Sequence, residues 1–292
     1  MLVASIKGGE VGKTAKQPTP TGGPDDVIAM IARLVEEVGG GHRIGIGAPG
    51  QVDRHGVVTE APNLSSWEGP VPLAERVAAA VGGKATVRVD NDVNVAVLGE
   101  HRHGAARHVD NALGVWVGTG VGGGLILDGE PRRGPAGMAA EIGHMVVHPG
   151  GRRCGCGFDG HLEAYAGRGR LEVEARRRHA AGEATMLVKL AGDERMRSGT
   201  FAKALDAGDN MAVDLIDQAV TALGVALASA QNLVDLDLIV VGGGLAEKLG
   251  PTFVGRIEQA VRALLWPGSS LRVVPSTLGD DAGVIGAATM VS

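Results

Sequence analysis

Both cysteines of the chain fall in the run Glu141-Ile-Gly-His144-Met-Val-Val-His148-Pro-Gly-Gly-Arg-Arg-Cys154-Gly-Cys156-Gly-Phe-Asp-Gly-His161-Leu-Glu163, among three histidines. Cys154 and Cys156 are only two positions apart, so a disulfide between them would be badly strained, and no third cysteine offers another partner. Thiolate and imidazole are the ligands zinc prefers, and His144, Cys154, Cys156 and His161 supply a Cys2His2 set that closes a tetrahedral structural site. Two thiolates cancel the charge of Zn2+, leaving a neutral centre in a segment otherwise too rich in glycine to hold its own shape. The plainer reading is a glycine-rich surface loop with two free thiols, and the ligand count argues against it. His148 competes with His144 for the fourth position; the Val-Val pair before it reads as a strand that turns it toward solvent, so His144 is kept.

A second constellation is Ala85-Thr-Val-Arg-Val-Asp-Asn91-Asp92-Val-Asn94-Val-Ala-Val-Leu-Gly-Glu100, where an alternating run reads as a strand and the residues after it as a helix. A carboxylate at that junction is placed to accept a proton from a hydroxyl attacking a phosphoryl group, although Asn-Asp before a helix is also an ordinary N-cap. In a third, Gly114-Val-Trp-Val-Gly118-Thr119-Gly120-Val121-Gly122-Gly123-Gly124-Leu-Ile-Leu-Asp-Gly129, two apolar runs flank a turn rich enough in glycine for backbone N–H groups to approach an anion closely. Further on, Leu236–Val241 is an apolar strand ending in Gly242-Gly243-Gly244, with a helix expected from about Leu245.

The motif Glu-x-Gly-His, followed ten residues later by Cys-x-Cys-Gly-x-x-Gly-Cys-x-Glu, resembles the signature of the ROK family of repressors, open reading frames and sugar kinases. Here it reads Glu141 to His144, then Cys154, Cys156, Gly157, Gly160, His161 and Glu163, with His161 in place of the family's third cysteine. The resemblance implies an α/β fold of the actin-like ATPase (ribonuclease-H-like) class, two lobes around a cleft. It also implies that Glu141, Glu163 and His144 contact sugar hydroxyls, that Asp92 is the general base and that Asn91 binds the sugar. Gly118, Thr119, Gly120, Val121, Gly122, Gly123 and Gly124 then form a phosphate loop, and Gly242, Gly243 and Gly244 the adenosine-side loop. The zinc orients His144 and its loop and does not activate water. Asn63, in the polar loop Ala61–Trp67, is a candidate sugar contact or simply a turn-forming Asn after proline.

The N-terminus departs from the pattern. Sugar kinases of this family open with a strand ending in Asp-x-Gly-Gly-Thr, and that motif is absent. The chain begins Met1-Leu-Val-Ala-Ser-Ile-Lys7-Gly8-Gly9-Glu-Val-Gly12-Lys13-Thr14-Ala-Lys-Gln-Pro18-Thr-Pro20, which resembles the family's second and third strands. Lys7–Thr14 nearly spells a Walker motif, but the spacing is wrong and a proline-rich stretch follows where a P-loop opens a helix, so Gly8-Gly9 reads as a hairpin turn. Either the chain starts at an internal methionine of a longer protein or it is a variant that has lost phosphate transfer. The missing strand would be central in the first lobe's sheet, so its absence leaves backbone groups to be satisfied elsewhere.

Glycine is 48 of 292 residues, far above the usual ~7%, which suits a protein built around several ligand loops. A net charge of -5 and a pI near 6.0 give no nucleic-acid footprint. No signal peptide and no apolar span of membrane length is read, so the expected location is the cytoplasm, where thiols stay reduced. Residues 1–108 are expected to form an N-terminal lobe with the final helix, 281–292, packing back on it. Residues 109–280 form the C-terminal lobe with the zinc loop 141–163. Helices are expected from about Leu162 to His179 and from about Met211 to Val234, the latter with Leu215, Ala219, Ala222 and Leu223 as its core face. Arg176-Arg177-Arg178 reads as a solvated face. The expected activity is that of a hexose kinase, first of all a glucokinase, acting on the sugar 6-hydroxyl with ATP and Mg2+. Polyphosphate is the alternative donor, and fructose, mannose, N-acetylmannosamine or N-acetylglucosamine are alternative sugars. The competing class is a non-catalytic sugar-binding regulator. The family's frequent homodimers set the expectation for assembly.

Overall fold

The computed structural model describes residues 1–292 apart from Pro62, Asn63 and Ser65, so the expected sugar contact at Asn63 lies outside the described residues. The chain opens with an antiparallel hairpin, β1 (Leu2–Lys7) and β2 (Glu10–Lys16). It turns at Gly8 and Gly9, with φ of 59° and 84°; two successive left-handed residues are what a tight hairpin turn needs, and glycine adopts them without a steric clash. The near-Walker run is therefore strand and turn, with no helix behind it. α1 (Pro24–Glu37) starts on a proline followed by two aspartates, which suit a helix N-terminus. β3 (Arg43–Ala48), β4 (Gln51–Val52), β5 (Val57–Glu60), β6 (Val71–Pro72), α2 (Leu73–Ala80), β7 (Thr86–Asn91) and α3 (Asp92–His103) follow. Then come β8 (Ala112–Val117), β9 (Val121–Leu127), β10 (Glu130–Arg132), α4 (Glu163–Ala166), α5 (Arg168–Ala180), α6 (Met186–Ala191), α7 (Ser198–Asp206) and α8 (Asn210–Val234). β11 (Leu238–Gly242), α9 (Gly244–Arg262), β12 (Arg272–Pro275) and α10 (Ala282–Thr289) complete the chain.

These elements form two compact units. The first holds Met1–Asp110, Gly124–Ala139 and Thr277–Ser292, and the second Asn111–Gly123 and Ala140–Ser276. The segment Gly124–Ala139 thus joins the first unit, whereas the sequence division at residue 108 put it in the second. Its attachments explain the difference: Gly124 packs on Val97 and Asn94 of α3, a Cβ at Gly137 would press on the Val52 carbonyl, and Arg133 pairs with Asp90.

In the first unit β3 and β7 pair in parallel, from Arg43 opposite Thr86 to Ala48 opposite Asn91. α10 crosses α3 and β3 at backbone contact. A Cβ at Gly286 would collide with the Val95 carbonyl, one at Gly99 with the Ala282 carbonyl, and one at Gly45 with the Ala287 carbonyl, so these crossings admit only glycine. Glu100 is fully buried and accepts hydrogen bonds from the backbone N–H groups of Ala105, Thr277 and Leu278 at 2.7–2.9 Å, tying the segment before α10 to α3. Among the described residues β1 pairs only with β2, and β3 only with β7. The two sheets are separate, and a cavity of about 1100 Å3 lies along both β1 and β3.

In the second unit β11 pairs in parallel with both β8 and β12. Every residue of β11 is buried, as expected of a near-continuous apolar run inside a parallel sheet. α8 is long and apolar enough to cross a membrane by length and composition alone, yet 67% of its most apolar stretch is buried in the fold. It is a core helix, with Leu215, Ala219, Ala222 and Leu223 all in the interior. The helix expected from Leu162 to His179 is instead two helices, α4 and α5, broken at Gly167. That residue has an extended ψ of 124°, and a Cβ there would press on Glu163 and approach the Cα of Gly120 at 3.3 Å. Arg176, Arg177 and Arg178 are paired with Glu172, Glu174, Glu183 and Asp214, which leaves no free basic face.

Candidate active site

The junction of β7 and α3 is built around a capping interaction. Asn91 has an extended backbone and is the N-cap of α3; its Oδ1 accepts from the N–H groups of Val93 and Asn94 at 2.9 and 3.2 Å. Its amide nitrogen donates to the Gly50 carbonyl at 3.0 Å, which leaves one amide proton for a ligand. Asn91 is thus a structural cap first, and any sugar contact falls to that remaining proton. Asp92 is the first residue of α3, with Oδ1 accepting from the N–H of Val93 at 3.0 Å. Surrounding protein removes water from its carboxyl and raises its pKa, opposed by that backbone N–H. The side chain nevertheless keeps open surface, so water still reaches it.

Sequence reasoning missed the groups beneath this pair. Asp90 is buried, and its Oδ1 accepts from the Asn91 N–H at 2.8 Å and from the Asn94 side-chain amide at 3.1 Å. Its Oδ2 takes the Nε–H of Arg133, which arrives on the segment after β10. The signal was weak because Asp90 looks like one more polar residue at a strand end, and Arg133 lies 43 positions away.

In the second unit, residues 145–162 form a small folded-back knuckle. Val147 and His148 both donate to the Gly160 carbonyl, Cys154 donates to the Phe158 carbonyl, and Gly160 donates to the Arg152 carbonyl. The ligand atoms of His144, Cys154, Cys156 and His161 all lie within 4.8 Å of one another. His144 Nδ1 is 3.3 Å and Cys156 Sγ 3.2 Å from His161 Nδ1. A tetrahedron with zinc–sulfur and zinc–nitrogen distances of about 2.3 and 2.0 Å has edges of roughly 3.3–3.8 Å, so this donor set fits zinc. His148 is outside the group, its ring 6.1 Å from that of Tyr165. Burial pushes the Cys154 thiol up to about 11. Glu141 precedes the 3-10 turn Ile142–His144, and its exposed carboxylate makes no hydrogen bond among the described residues.

Glu163 links the knuckle to the glycine loop. Its Oε2 accepts from the Val121 N–H at 3.0 Å and its Oε1 lies 3.8 Å from Cys154 Sγ. A Cβ at Gly120 would collide with this carboxylate. The other side of the loop is held by the start of α5: Arg168 N–H donates to the Gly118 carbonyl, Gly169 N–H to the Thr119 carbonyl, and the Arg168 guanidinium to Thr119 Oγ1 at 2.7 Å.

The loop at Gly118 leaves the carboxyl end of β8, and the triplet Gly242–Gly244 leaves the carboxyl end of its parallel neighbour β11, where Gly242 lies opposite Trp116. Gly243, at φ 87°, caps α9, and a Cβ there would fall 2.8 Å from the Val117 backbone. Two glycine-built turns at the carboxyl ends of adjacent parallel strands, one opening a long helix, make the usual geometry for binding a nucleotide's phosphates.

The whole chain from residue 2 to 292 matches the model of the ROK family. The chain belongs to the ROK family, and its fold is of the actin-like ATPase, ribonuclease-H-like class. A glucokinase of Thermotoga maritima is 34% identical over 286 residues, covering 96% of this chain and 89% of that protein. The crystal structure of a ROK hexokinase from Thermus thermophilus superposes with a TM-score of 0.82 at 31% identity, covering 100% of this chain and 98% of that one. That of a ROK family glucokinase from Streptomyces griseus, in complex with glucose and AMPPNP, gives 0.81 at 32% identity over 99% and 98%.

Proposed function

We propose that the chain is an ATP-dependent hexose kinase, a glucokinase, that transfers a phosphoryl group to the sugar 6-hydroxyl. The observation that carries this reading is Asp92: a carboxylate at a strand end, fixed by the helix N-terminus and by buried Asp90 with its half-buried partner Arg133 beneath it, open to water and with its pKa raised by burial. It is a base held in one position. The glucokinase relatives, and the glucose and AMPPNP bound in the Streptomyces griseus structure, support the substrate and donor.

Asp92 takes the proton of the attacking hydroxyl, and the free amide proton of Asn91 orients the sugar. Glu141, His144 and Glu163 bind its other hydroxyls. Glu163 has one oxygen committed to the Val121 N–H, so its second oxygen is the one available to a ligand. The turn Gly118–Gly120 with the start of β9, Val121–Gly124, and the triplet Gly242–Gly244 receive the nucleotide, whose magnesium neutralises phosphate charge. His144, Cys154, Cys156 and His161 would hold zinc, which with four protein ligands supplies shape to the knuckle and no chemistry. The protein acts in the cytoplasm, and no nucleic acid or membrane takes part.

Glucose 6-phosphate formation by the purified chain with Mg2+ and ATP, or polyphosphate, tests the assignment when repeated on Asp92→Asn. Loss of a general base lowers the rate about 10^2 to 10^4-fold, so the variant should bind glucose and scarcely turn over. A variant within threefold of the parent would remove Asp92 from the role. Glucose binding with no turnover by the parent would instead favour a sugar-responsive regulator.

A further inference from the structure

Four stretches of the second unit meet around the carboxyl ends of β8 and β11, and one guanidinium joins them. Arg168 donates through one terminal nitrogen to Thr119 Oγ1 at 2.7 Å and through the other to the Met196 carbonyl. Thr119 belongs to the glycine turn that leaves β8. Met196 lies two residues before Ser198, the first residue of α7, whose hydroxyl is 3.8 Å from where a Cβ on Gly244 would stand at the start of α9. Gly243 closes the circuit against the backbone of Val117. The guanidinium therefore bridges the glycine turn and the segment beside the glycine triplet, the two structures that receive the nucleotide in the proposed reaction.

Nothing in the fold calls for a positive charge at this place. Arg168 is the first residue of α5, a helix of 13 residues, and a cation is disfavoured at a helix N-terminus because the backbone N–H groups there already carry partial positive charge. Arg176, Arg177 and Arg178, farther along α5, are each paired with a carboxylate. Arg168 is held instead by two neutral oxygens and makes no ion pair among the described residues. A guanidinium has five N–H donors, and two are used here, which leaves three. A half-buried cation with neutral partners and spare donors, beside backbone that can approach an anion closely, is completed by a phosphate. We propose that Arg168 binds the polyphosphate chain of the nucleotide, while Thr119 and Met196 fix the plane of its guanidinium. The identity of the ligand rests on the kinase reading. The charge serves ATP and does nothing for adenosine.

Two variants separate charge from scaffolding. Arg168→Lys keeps the cation and loses the fork, whereas Arg168→Gln keeps an amide donor and loses the cation. The full chain is titrated calorimetrically with Mg–ATP, sodium tripolyphosphate and adenosine in the absence of sugar, and its Tm is read without ligand. Arg168→Gln should weaken ATP about 10 to 100-fold, the factor for losing hydrogen bonds to a charged group, and leave adenosine within about twofold. Its Tm should stay within about 2 °C of the parent. Arg168→Lys should retain most of the ATP affinity. An ATP affinity for Arg168→Gln within about twofold of the parent overturns the proposal. So does an equal loss for ATP and adenosine, a large fall in Tm, or a Gln variant that binds ATP better than the Lys variant, since each makes Arg168 a brace for the turn alone. Failure of the reaction looks different: a parent that binds ATP through Arg168 and forms no glucose 6-phosphate keeps the site and loses the kinase. A parent that forms glucose 6-phosphate, with the KM for ATP unchanged in Arg168→Gln, keeps the kinase and loses the site. A parent that binds neither ATP nor tripolyphosphate overturns the proposal outright.

Discussion

Replacing Asp90 by Asn keeps size and removes the charge that holds the proposed base in place. Asp90 is 4% exposed and serves three donors, the Asn91 N–H, the Asn94 amide and the Arg133 Nε–H. The amide oxygen of an Asn can keep the first two, which turns its NH2 toward the Arg133 donor. A hydrogen bond to a charged group is worth about 1.5–3 kcal/mol. Arg133 is 39% exposed, so water partly replaces the lost carboxylate and the low end, about 1.5–2 kcal/mol, applies. Loss of a negative charge at the N-terminus of α3 adds about 0.3–1 kcal/mol. Asp90→Asn should therefore cost about 2–3 kcal/mol, a fall in Tm of roughly 4–12 °C for a chain of this size. Denaturant titration of Asp90→Asn, Arg133→Met and the double variant measures it directly. The two side chains touch, so the double variant should lose about 1 kcal/mol or more less than the sum of the singles. Additivity within about 0.5 kcal/mol would mean that the pair does not act as a unit, and the account of how Asp92 is positioned would fall with it.

Three further outcomes follow from the same geometry. The isolated protein should contain one zinc per chain by elemental analysis, and a Cys154→Ser, Cys156→Ser double variant should contain none; a metal-free parent purified without chelator contradicts the site. Turnover should fail on the acid side at a pH above 3.8, because Asp92 must be ionised to accept a proton and burial raises its pKa above that ordinary value; an acid limb in kcat at or below 3.8 would contradict it. Leu223→Ala should cost about 2–5 kcal/mol in denaturant unfolding, since Leu223 is fully buried on α8; a loss under about 1 kcal/mol would show that the site collapses freely.

What could be read from the sequence was what is local along the chain. The four proposed zinc ligands and Glu163 lie within twenty residues of one another, so their spacing alone gathered them. The strand endings at Gly118 and Gly242 were visible as apolar runs that stop in glycine. Contacts between distant segments were not visible. Nothing in Arg133 announces Asp90, and nothing in Gly286 announces that it must lie against the Val95 carbonyl. Helix continuity through Gly167 was misjudged for the same reason: the break serves the approach to Gly120, which is 47 residues earlier in the chain. The side of the junction that Asn91 uses was likewise undecided by its residue type, since an N-cap and a sugar contact draw on the same amide.

The position of Glu163 gives the proposed zinc knuckle a purpose beyond its own fold. The turn Gly118–Gly120 and the start of β9 are built largely from the residue type that loses most freedom on ordering, and fixing each backbone residue costs about 1–2 kcal/mol. Its hydrogen bonds to Glu163 and to the start of α5 are worth only about 0.5–3 kcal/mol each, so they order the turn only where their own partners are already fixed. Arg168 and Gly169 are fixed by a helix of 13 residues. Glu163 opens a helix of only four residues, too short to be stable alone. It lies two residues after His161, however, and its Oε1 faces Cys154. A structural zinc site contributes about 10–16 kcal/mol, enough to hold the knuckle and, through Leu162, the carboxylate that anchors Val121. Zinc, if bound there as proposed, would thus act on the glycine turn through a single side chain, Glu163.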